Sequence, residues 1–106
     1  MIVETVTFKV RPDMSYEDLM QSCRDTLDRW RGYPGLERKI YAMADAETAV
    51  GIYLWESREH AEKGHDDAWL DEAERLWGNR PQIAYLDAMM ILDNRLDEVC
   101  EFPETS

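Results

Sequence analysis

The chain has 106 residues and a formal net charge of −11 at pH 7, with a pI near 4.5. This length predicts one domain. A content of 44% hydrophobic and 33% charged residues is typical of a globular protein. This net negative charge argues against nucleic acid as a partner, because phosphate binding requires a basic surface. No apolar run approaches the roughly 20 residues that cross a bilayer, so we expect no membrane partner. Met1–Thr5 lacks the basic and apolar regions of a secretion signal, which predicts a cytoplasmic protein.

The first part of the chain predicts a strand followed by a helix. Between Ile2 and Val10 the apolar residues concentrate on one parity, so this strand has one apolar face. Ser15 is an N-cap candidate, and Asp18 three residues later completes a capping box. The helix extends to about Trp30, because apolar side chains recur at spacings of three and four.

Residues 36–56 predict two long strands joined by an acidic turn at residues 44–47. The second strand, residues 49–55, is apolar on both parities, whereas a strand with one wet face alternates apolar and polar side chains. Both of its faces are therefore expected to be covered. Helices of the same chain can cover one face, and we expect a second copy of the chain to cover the other. The pattern thus predicts a homodimer formed through the sheet.

The last part of the chain predicts a broken helix and a final strand. Ser57 is the second N-cap candidate, and the helical pattern breaks around Gly64 before continuing to about Trp77. Residues 83–92 form a strand that is apolar on both parities, with Asp87 as its one charge. The order of elements is β-α-β-β-α-β, a ferredoxin-like α+β fold with a four-stranded antiparallel sheet and both helices on one face. We expect this domain to cover residues 1–94, followed by an acidic C-terminal tail at residues 95–106.

The sequence resembles a known family over nearly its whole length, from Ile2 to Asn94. The most diagnostic segments are Pro34-Gly35-Leu36, residues 51–57 (GIYLWES) and the helical residues 61–69. These segments are similar to the YdhR-like monooxygenases, which belong to the dimeric α/β-barrel superfamily with the antibiotic-biosynthesis monooxygenases. The resemblance implies a homodimer whose two sheets close a shared barrel. It also implies a pocket in each subunit between sheet and helices.

Three residues are candidates for catalysis. His65, near the helix break, is the candidate general base, because imidazole titrates near neutral pH. Tyr53 and Arg38 are candidates for stabilising negative charge on a substrate. The structural alternative for Arg38 is an ion pair or exposure at the sheet edge, and the alternative for Tyr53 is plain core packing.

A second set of residues is expected to contact the substrate. Aromatic residues with a polar tip are natural pocket liners, although core packing is the alternative role. Asp87 is part of a structural ion pair, is exposed at the sheet edge, or positions a neighbouring Tyr or His. The candidate substrate-binding residues are Trp55, Trp69, Tyr41, Tyr85 and Asp87.

The motifs present predict neither a cofactor nor a metal ion. There is no nucleotide-binding glycine motif. His60 and His65 are five residues apart and so lie on different faces of a helix, without a third ligand at a suitable spacing. Cys23 and Cys100 lack the CxxC spacing of a metal or redox site and are expected to be free thiols.

The leading functional hypothesis is a cofactor-independent monooxygenase that acts on a small aromatic or polyketide-like substrate. An electron-rich anion of such a compound can reduce dioxygen itself. Two alternatives remain open at this stage. One is a non-catalytic dimeric protein that binds a small apolar ligand, and the other is an isomerase or cyclase on the same scaffold.

Overall fold

The computed structural model describes residues 1–104, which form a mixed α+β fold. Its main sheet has four antiparallel strands in the order β2-β3-β1-β4. The predicted ferredoxin-like fold class is confirmed. The strands of this sheet are β1 (Ile2–Lys9), β2 (Leu36–Asp45), β3 (Thr48–Trp55) and β4 (Gln82–Asp87).

Both predicted helical regions are present, and each is divided in two. The first consists of α1 (Tyr16–Asp25) and α2 (Leu27–Trp30), and the second of α3 (Arg58–Gly64) and α4 (Asp67–Trp77). None of these helices within residues 1–104 is long and apolar enough to cross a membrane.

Side chains at the helix ends explain where these helices begin and break. The Ser15 hydroxyl accepts from the Asp18 amide at 3.1 Å, and the Asp18 carboxylate accepts from the Ser15 amide at 2.9 Å, which confirms the capping box. The Thr26 hydroxyl donates to the Cys23 carbonyl oxygen between α1 and α2. Asp66 caps α4 by accepting from the Trp69 amide at 2.9 Å, so the predicted break near Gly64 is also confirmed.

The core lies between one face of the main sheet and the helices. Ile2, Val6, Tyr53 and Trp55 of the two central strands are buried there, and Trp30 of α2 packs against them. The small residues of α3 allow this helix to approach the sheet closely. A Cβ added to Gly64 would lie 2.6 Å from Cη2 of Trp55, which explains why glycine occupies this position.

A β-bulge near the start of β2 changes which of its residues face the core. Leu36 is paired with Trp55, but the register shifts between Leu36 and Arg38. Leu36 and Arg38 share a sequence parity but lie on opposite faces of the sheet, because the extra residue of a bulge reverses the alternation. Lys39 is consequently paired with Tyr53 and lies on the core face of the sheet.

The opposite face of the main sheet, called here the outer face, is largely apolar. It carries Val50, Ile52 and Leu54 of β3, and the strand register places Ile40 and Leu86 on the same side. Ile40 is 47% exposed and Leu86 is 60% exposed. Within residues 1–104, both helical regions lie on the other side of the sheet.

The predicted last strand, residues 83–92, is divided into two strands that belong to different sheets. β4 is paired with β1 up to Asp87, and the Ala88 amide donates to the Met1 carbonyl oxygen. The chain continues as β5 (Met90–Asp93), which pairs with β6 (Glu98–Glu101) in a separate hairpin. Part of the expected acidic tail therefore forms a strand, while residues 105 and 106 lie outside the described range.

Candidate functional site

A cavity of about 480 Å³ lies between the core face of the sheet and the helices α1, α2 and α4. Its volume falls within the range of roughly 300–1,000 Å³ that is usual for small-molecule sites. The walls are mainly aliphatic and aromatic. They include Phe8, Leu19, Met20, Leu27, Trp30, Met43, Trp69 and Trp77.

Lys39 of β2 is the amine that lines this cavity, and its ammonium group is surrounded by aromatic rings. Nζ lies 4.0 Å from the ring centroid of Tyr41, 4.7 Å from that of Tyr53 and 4.9 Å from that of Trp30. Burial lowers the pKa of Lys39 to about 7, and the positive charge of Arg29 contributes in the same direction. The amine is therefore present in both charged and neutral forms near neutral pH.

Two hydroxyl groups meet at the side of the cavity. The Tyr41 hydroxyl lies 2.6 Å from Oγ1 of Thr26. Because Thr26 already donates to the Cys23 carbonyl oxygen, Tyr41 is the donor in this pair. Burial raises the pKa of Tyr41 and also that of the neighbouring Cys23 thiol, so both groups are protonated at neutral pH.

A polar cluster is completely buried between β1, β3 and the break between α3 and α4. Glu4 has 0% of its surface exposed. Its Oε1 atom accepts from Trp55 Nε1 at 2.8 Å and lies 2.8 Å from His65 Nδ1. With Glu4 as a carboxylate, which only accepts, the proton of the second hydrogen bond lies on Nδ1 of His65. We call these three residues the Glu4 cluster.

The Glu4 cluster has two atoms without a hydrogen bond within residues 1–104. These are Oε2 of Glu4 and Nε2 of His65, both of which are buried. The His65 ring is instead enclosed by rings of Tyr53, Trp69 and Trp30 at centroid distances of 4.5, 4.5 and 4.9 Å. Tyr85 is directly opposite Glu4 on β4, and burial and then the Glu4 charge raise its pKa.

The structure distributes the predicted site residues over three locations. Tyr53, Trp69 and Tyr41 line the cavity together. His65 and Trp55 lie behind the cavity wall in the Glu4 cluster, with Tyr85 half-buried beside them. Arg38 is exposed on the outer face, and Asp87 is exposed at the end of β4. The three candidate catalytic residues are therefore not in contact with one common space.

Sequence reasoning missed both Glu4 and Lys39. Glu4 could have been noticed, because it is a charged residue on the apolar parity of β1, between Ile2 and Val6. Lys39 had no comparable signal, since both parities of β2 mix apolar and polar residues and the bulge changes its alternation. Within residues 1–104, no three His, Cys, Asp or Glu side chains come together as a set of metal ligands.

Comparison with solved structures identifies the fold. No protein-family model and no curated protein matches the sequence. Rv0793 from Mycobacterium tuberculosis is similar with a TM-score of 0.62 and 15% identity, over 83% of this chain and 94% of that one. A monooxygenase from the gene ActVA-Orf6 of Streptomyces coelicolor, solved in complex with nanaomycin D, is similar with a TM-score of 0.61 and 22% identity, over 82% and 86% of the two chains.

The chain therefore has the fold of Rv0793 and of the ActVA-Orf6 monooxygenase. This confirms the fold that the sequence resemblance implied. In this fold, the cavity of the chain lies between sheet and helices, where the resemblance also implied a pocket.

Proposed function

We propose that the chain is a cofactor-independent monooxygenase that acts on a small, flat, aromatic or polyketide-like substrate bound in the cavity. The observation that carries this proposal is the single amine of Lys39, with a pKa of about 7, inside an apolar and aromatic cavity of about 480 Å³. The likeness in fold to a monooxygenase solved with nanaomycin D supports it.

The reaction begins with proton transfer from the substrate to Lys39. A neutral amine with a pKa near the operating pH is suited to act as a general base. The resulting ammonium remains against the rings of Tyr41, Tyr53 and Trp30, which favour a cation. It also forms an ion pair with the substrate anion, and this pair is strengthened because the surrounding walls are mainly apolar. Lys39 therefore takes the role that the sequence suggested for His65.

The substrate anion then reacts with dioxygen. For an anthrone, the carbanion passes one electron to dioxygen, and the radical and superoxide combine into a C–O bond. Protonation gives a hydroperoxide, and loss of water leaves a carbonyl, so one oxygen atom enters the product and the other enters water. All the electrons come from the substrate. Lys39 returns the first proton to the peroxide, then removes the second C–H proton as the O–O bond breaks, and this proton leaves with the departing oxygen as water.

Tyr53 is placed to stabilise negative charge on the substrate. Burial raises its pKa well above the ordinary value, and the Glu4 charge adds to this effect. Its hydroxyl is therefore protonated at any working pH and is available as a hydrogen-bond donor to a substrate oxyanion. The Glu4 cluster, through the edge-to-face contact of His65 with Tyr53, fixes the position of the Tyr53 ring.

Oxygen uptake tests the proposed function. We expect the protein to accelerate dioxygen consumption by a hydroxylated anthrone above the rate in buffer, with one atom of ¹⁸O₂ appearing in the quinone. Lys39→Met is expected to abolish the acceleration, whereas Lys63→Met, a change at an exposed lysine, is expected to retain it. Ligand binding without any accelerated oxygen uptake contradicts the monooxygenase and favours a non-catalytic binding protein.

We further propose that two copies of the chain pair through the outer face. Val50, Ile52 and Leu54 form a continuous apolar strip along β3, flanked by the exposed Ile40 and Leu86. Contiguous exposed apolar side chains of this kind are a feature of protein–protein interfaces. A two-fold axis places the apolar strip of one copy against the same strip of the other copy, as the symmetry of a homodimer requires.

A further inference from the structure

We propose that Lys39 is also a nucleophile, which forms a Schiff base with apolar aldehydes and ketones that enter the cavity. Nζ of Lys39 is surrounded by ring faces, the nearest at 4.0 Å. The other two lysines of the chain are placed differently. Lys9 donates to the Thr48 hydroxyl at 2.9 Å, and Lys63 lies 3.2 Å from the Glu59 carboxylate with 71% of its side chain exposed.

The surroundings of Lys39 keep the amine in a reactive form. Only a neutral amine attacks a carbonyl carbon, and a lysine in an apolar pocket loses its proton readily. With a pKa of about 7, roughly half of the Lys39 amine is neutral at pH 7. A lysine with an ordinary pKa near 10.4 is neutral in only about 0.04% of molecules at that pH.

The condensation is balanced without any further reagent. The amine nitrogen attacks the carbonyl carbon, both N–H protons pass to the carbonyl oxygen, and this oxygen leaves as water. No atom is oxidised or reduced. The protonated imine is a delocalised, weakly hydrated cation, and the faces of Tyr41, Tyr53 and Trp30 attract such a cation.

The cavity selects the class of carbonyl compound. Leu19, Met20 and Leu27 provide an aliphatic wall opposite the aromatic residues, and the volume is about 480 Å³. A bicyclic or tricyclic aldehyde or ketone gains free energy by leaving water for such a surface. A small, strongly hydrated aldehyde gains nothing comparable, so the selectivity comes from the apolar body of the ligand.

The test is reductive trapping with 2-naphthaldehyde and sodium cyanoborohydride at pH 7, followed by intact mass measurement and peptide mapping. The reaction is carried out with the full chain under argon, so that it is independent of oxygen consumption. We expect Lys39 to be labelled at least about tenfold faster than Lys63. Equal labelling of the lysines, or labelling of the N-terminal amine alone, overturns the proposal.

Two matched comparisons keep the result interpretable. Lys39→Arg retains a positive charge but removes the nucleophile, and it is expected to lose the fast adduct, whereas Lys63→Arg is expected to retain it. In the unaltered protein, 2-naphthol, which has the same shape but no carbonyl group, is expected to slow labelling of Lys39 without affecting Lys63. Glyceraldehyde, a small and strongly hydrated aldehyde, is expected to show no comparable preference for Lys39. The assignment to the cavity is overturned if 2-naphthol does not slow labelling of Lys39, or if glyceraldehyde prefers Lys39 over Lys63 as strongly as 2-naphthaldehyde does.

The outcome is separable from that of the proposed monooxygenase. Lysine trapping measures the nucleophilicity of Lys39 without dioxygen. Imine formation consumes no dioxygen, so oxygen uptake measures turnover of the anthrone alone. A protein that is trapped at Lys39 but consumes no oxygen supports the Schiff base alone.

Discussion

His65 Nδ1 lies 2.8 Å from Glu4 Oε1, although the two residues are 61 positions apart in the sequence and both side chains are completely buried. The same Oε1 atom accepts from Trp55, so β1, β3 and the helix break are joined at one oxygen atom. Removing one partner of a buried polar pair leaves the other without compensation, and this costs more than the loss of an exposed ion pair.

The first prediction concerns this cluster. Glu4→Ala is expected to lower the free energy of unfolding by about 3–5 kcal/mol, because it leaves the Trp55 and His65 donors unpaired in the core. Urea denaturation monitored by tryptophan fluorescence measures this loss. Glu62→Ala removes an exposed carboxylate that pairs with Arg58 and serves as the matched control, with little change expected. Equal effects of the two substitutions contradict the structural role of Glu4.

The second prediction concerns the pH dependence of stability. The pKa of Lys39 is about 7 in the folded state and near 10.5 when the chain is unfolded, so the unfolded state binds more protons between these values. The contribution of Lys39 to the free energy of unfolding therefore rises with pH between these two pKa values. Lys39→Met removes the cost of burying this amine. We expect the free energy of unfolding of the variant to exceed that of the unaltered protein most at or below pH 7, and the difference to disappear towards pH 10.5.

Chemical denaturation at pH 6.5, 8 and 9.5 measures this dependence. The charged or titratable groups close to Lys39 are Arg29, Cys23, Tyr41 and Tyr53, and the two tyrosines and the cysteine remain protonated over most of this range. Lys63→Met, at an exposed position, is the control and should show no such trend. A stabilisation by Lys39→Met that is independent of pH contradicts the lowered pKa.

The third prediction concerns the shape of the cavity. A Cβ added to Gly51 would lie 2.8 Å from Cε1 of Tyr53, so Gly51→Ala displaces the Tyr53 ring, which lines the cavity together with Gly51. Overpacking of this kind costs about 1–3 kcal/mol, and we expect binding of 2-naphthol to weaken by about tenfold. Calorimetric titration measures the affinity.

Gly32→Ala is the matched control for this substitution. Gly32 has φ of +70°, and a Cβ there would meet nothing within 4 Å, so the change strains the backbone without touching the cavity. It is expected to lower stability but leave 2-naphthol binding unchanged. Comparable losses of affinity in both variants would show that the cavity is not the binding site.

The fourth prediction concerns the outer face. The unaltered protein is expected to sediment at twice the 12.5 kDa mass of the chain. Ile52→Glu places a charge at the centre of the apolar strip and is expected to give monomers, because an unpaired buried charge opposes association. Leu76→Glu, at an exposed residue of α4, should leave the dimer intact. A monomeric unaltered protein contradicts the proposed pairing.

The element order and the helix breaks could be predicted from the sequence, because these depend on local chemistry. Ser15 with Asp18 and the region of Gly64 carry signals that act within a few residues. The location of the site could not be predicted in the same way. Which parity of β2 faces the core depends on the bulge between Leu36 and Arg38, and nothing in the local sequence marks that bulge.

The final strand was predicted as one element for a related reason. Residues 83–92 are apolar on both parities apart from Asp87, and no turn motif separates β4 from β5. The division follows from the pairing, since β4 is bonded to β1 up to Asp87, whereas β5 is bonded to β6. The boundary is therefore set by a partner that is distant in the sequence.

The position of β1 between β3 and β4 has a consequence for the order of events during synthesis on the ribosome. β1 emerges before either of its neighbours, so its amides and carbonyls stay hydrated until the β3 residues follow. Glu4 likewise keeps its solvent shell until Trp55 and then His65 have left the exit tunnel. The main sheet therefore assembles late in synthesis. Chaperones that shield emerging strands can bind β1 during the whole preceding interval.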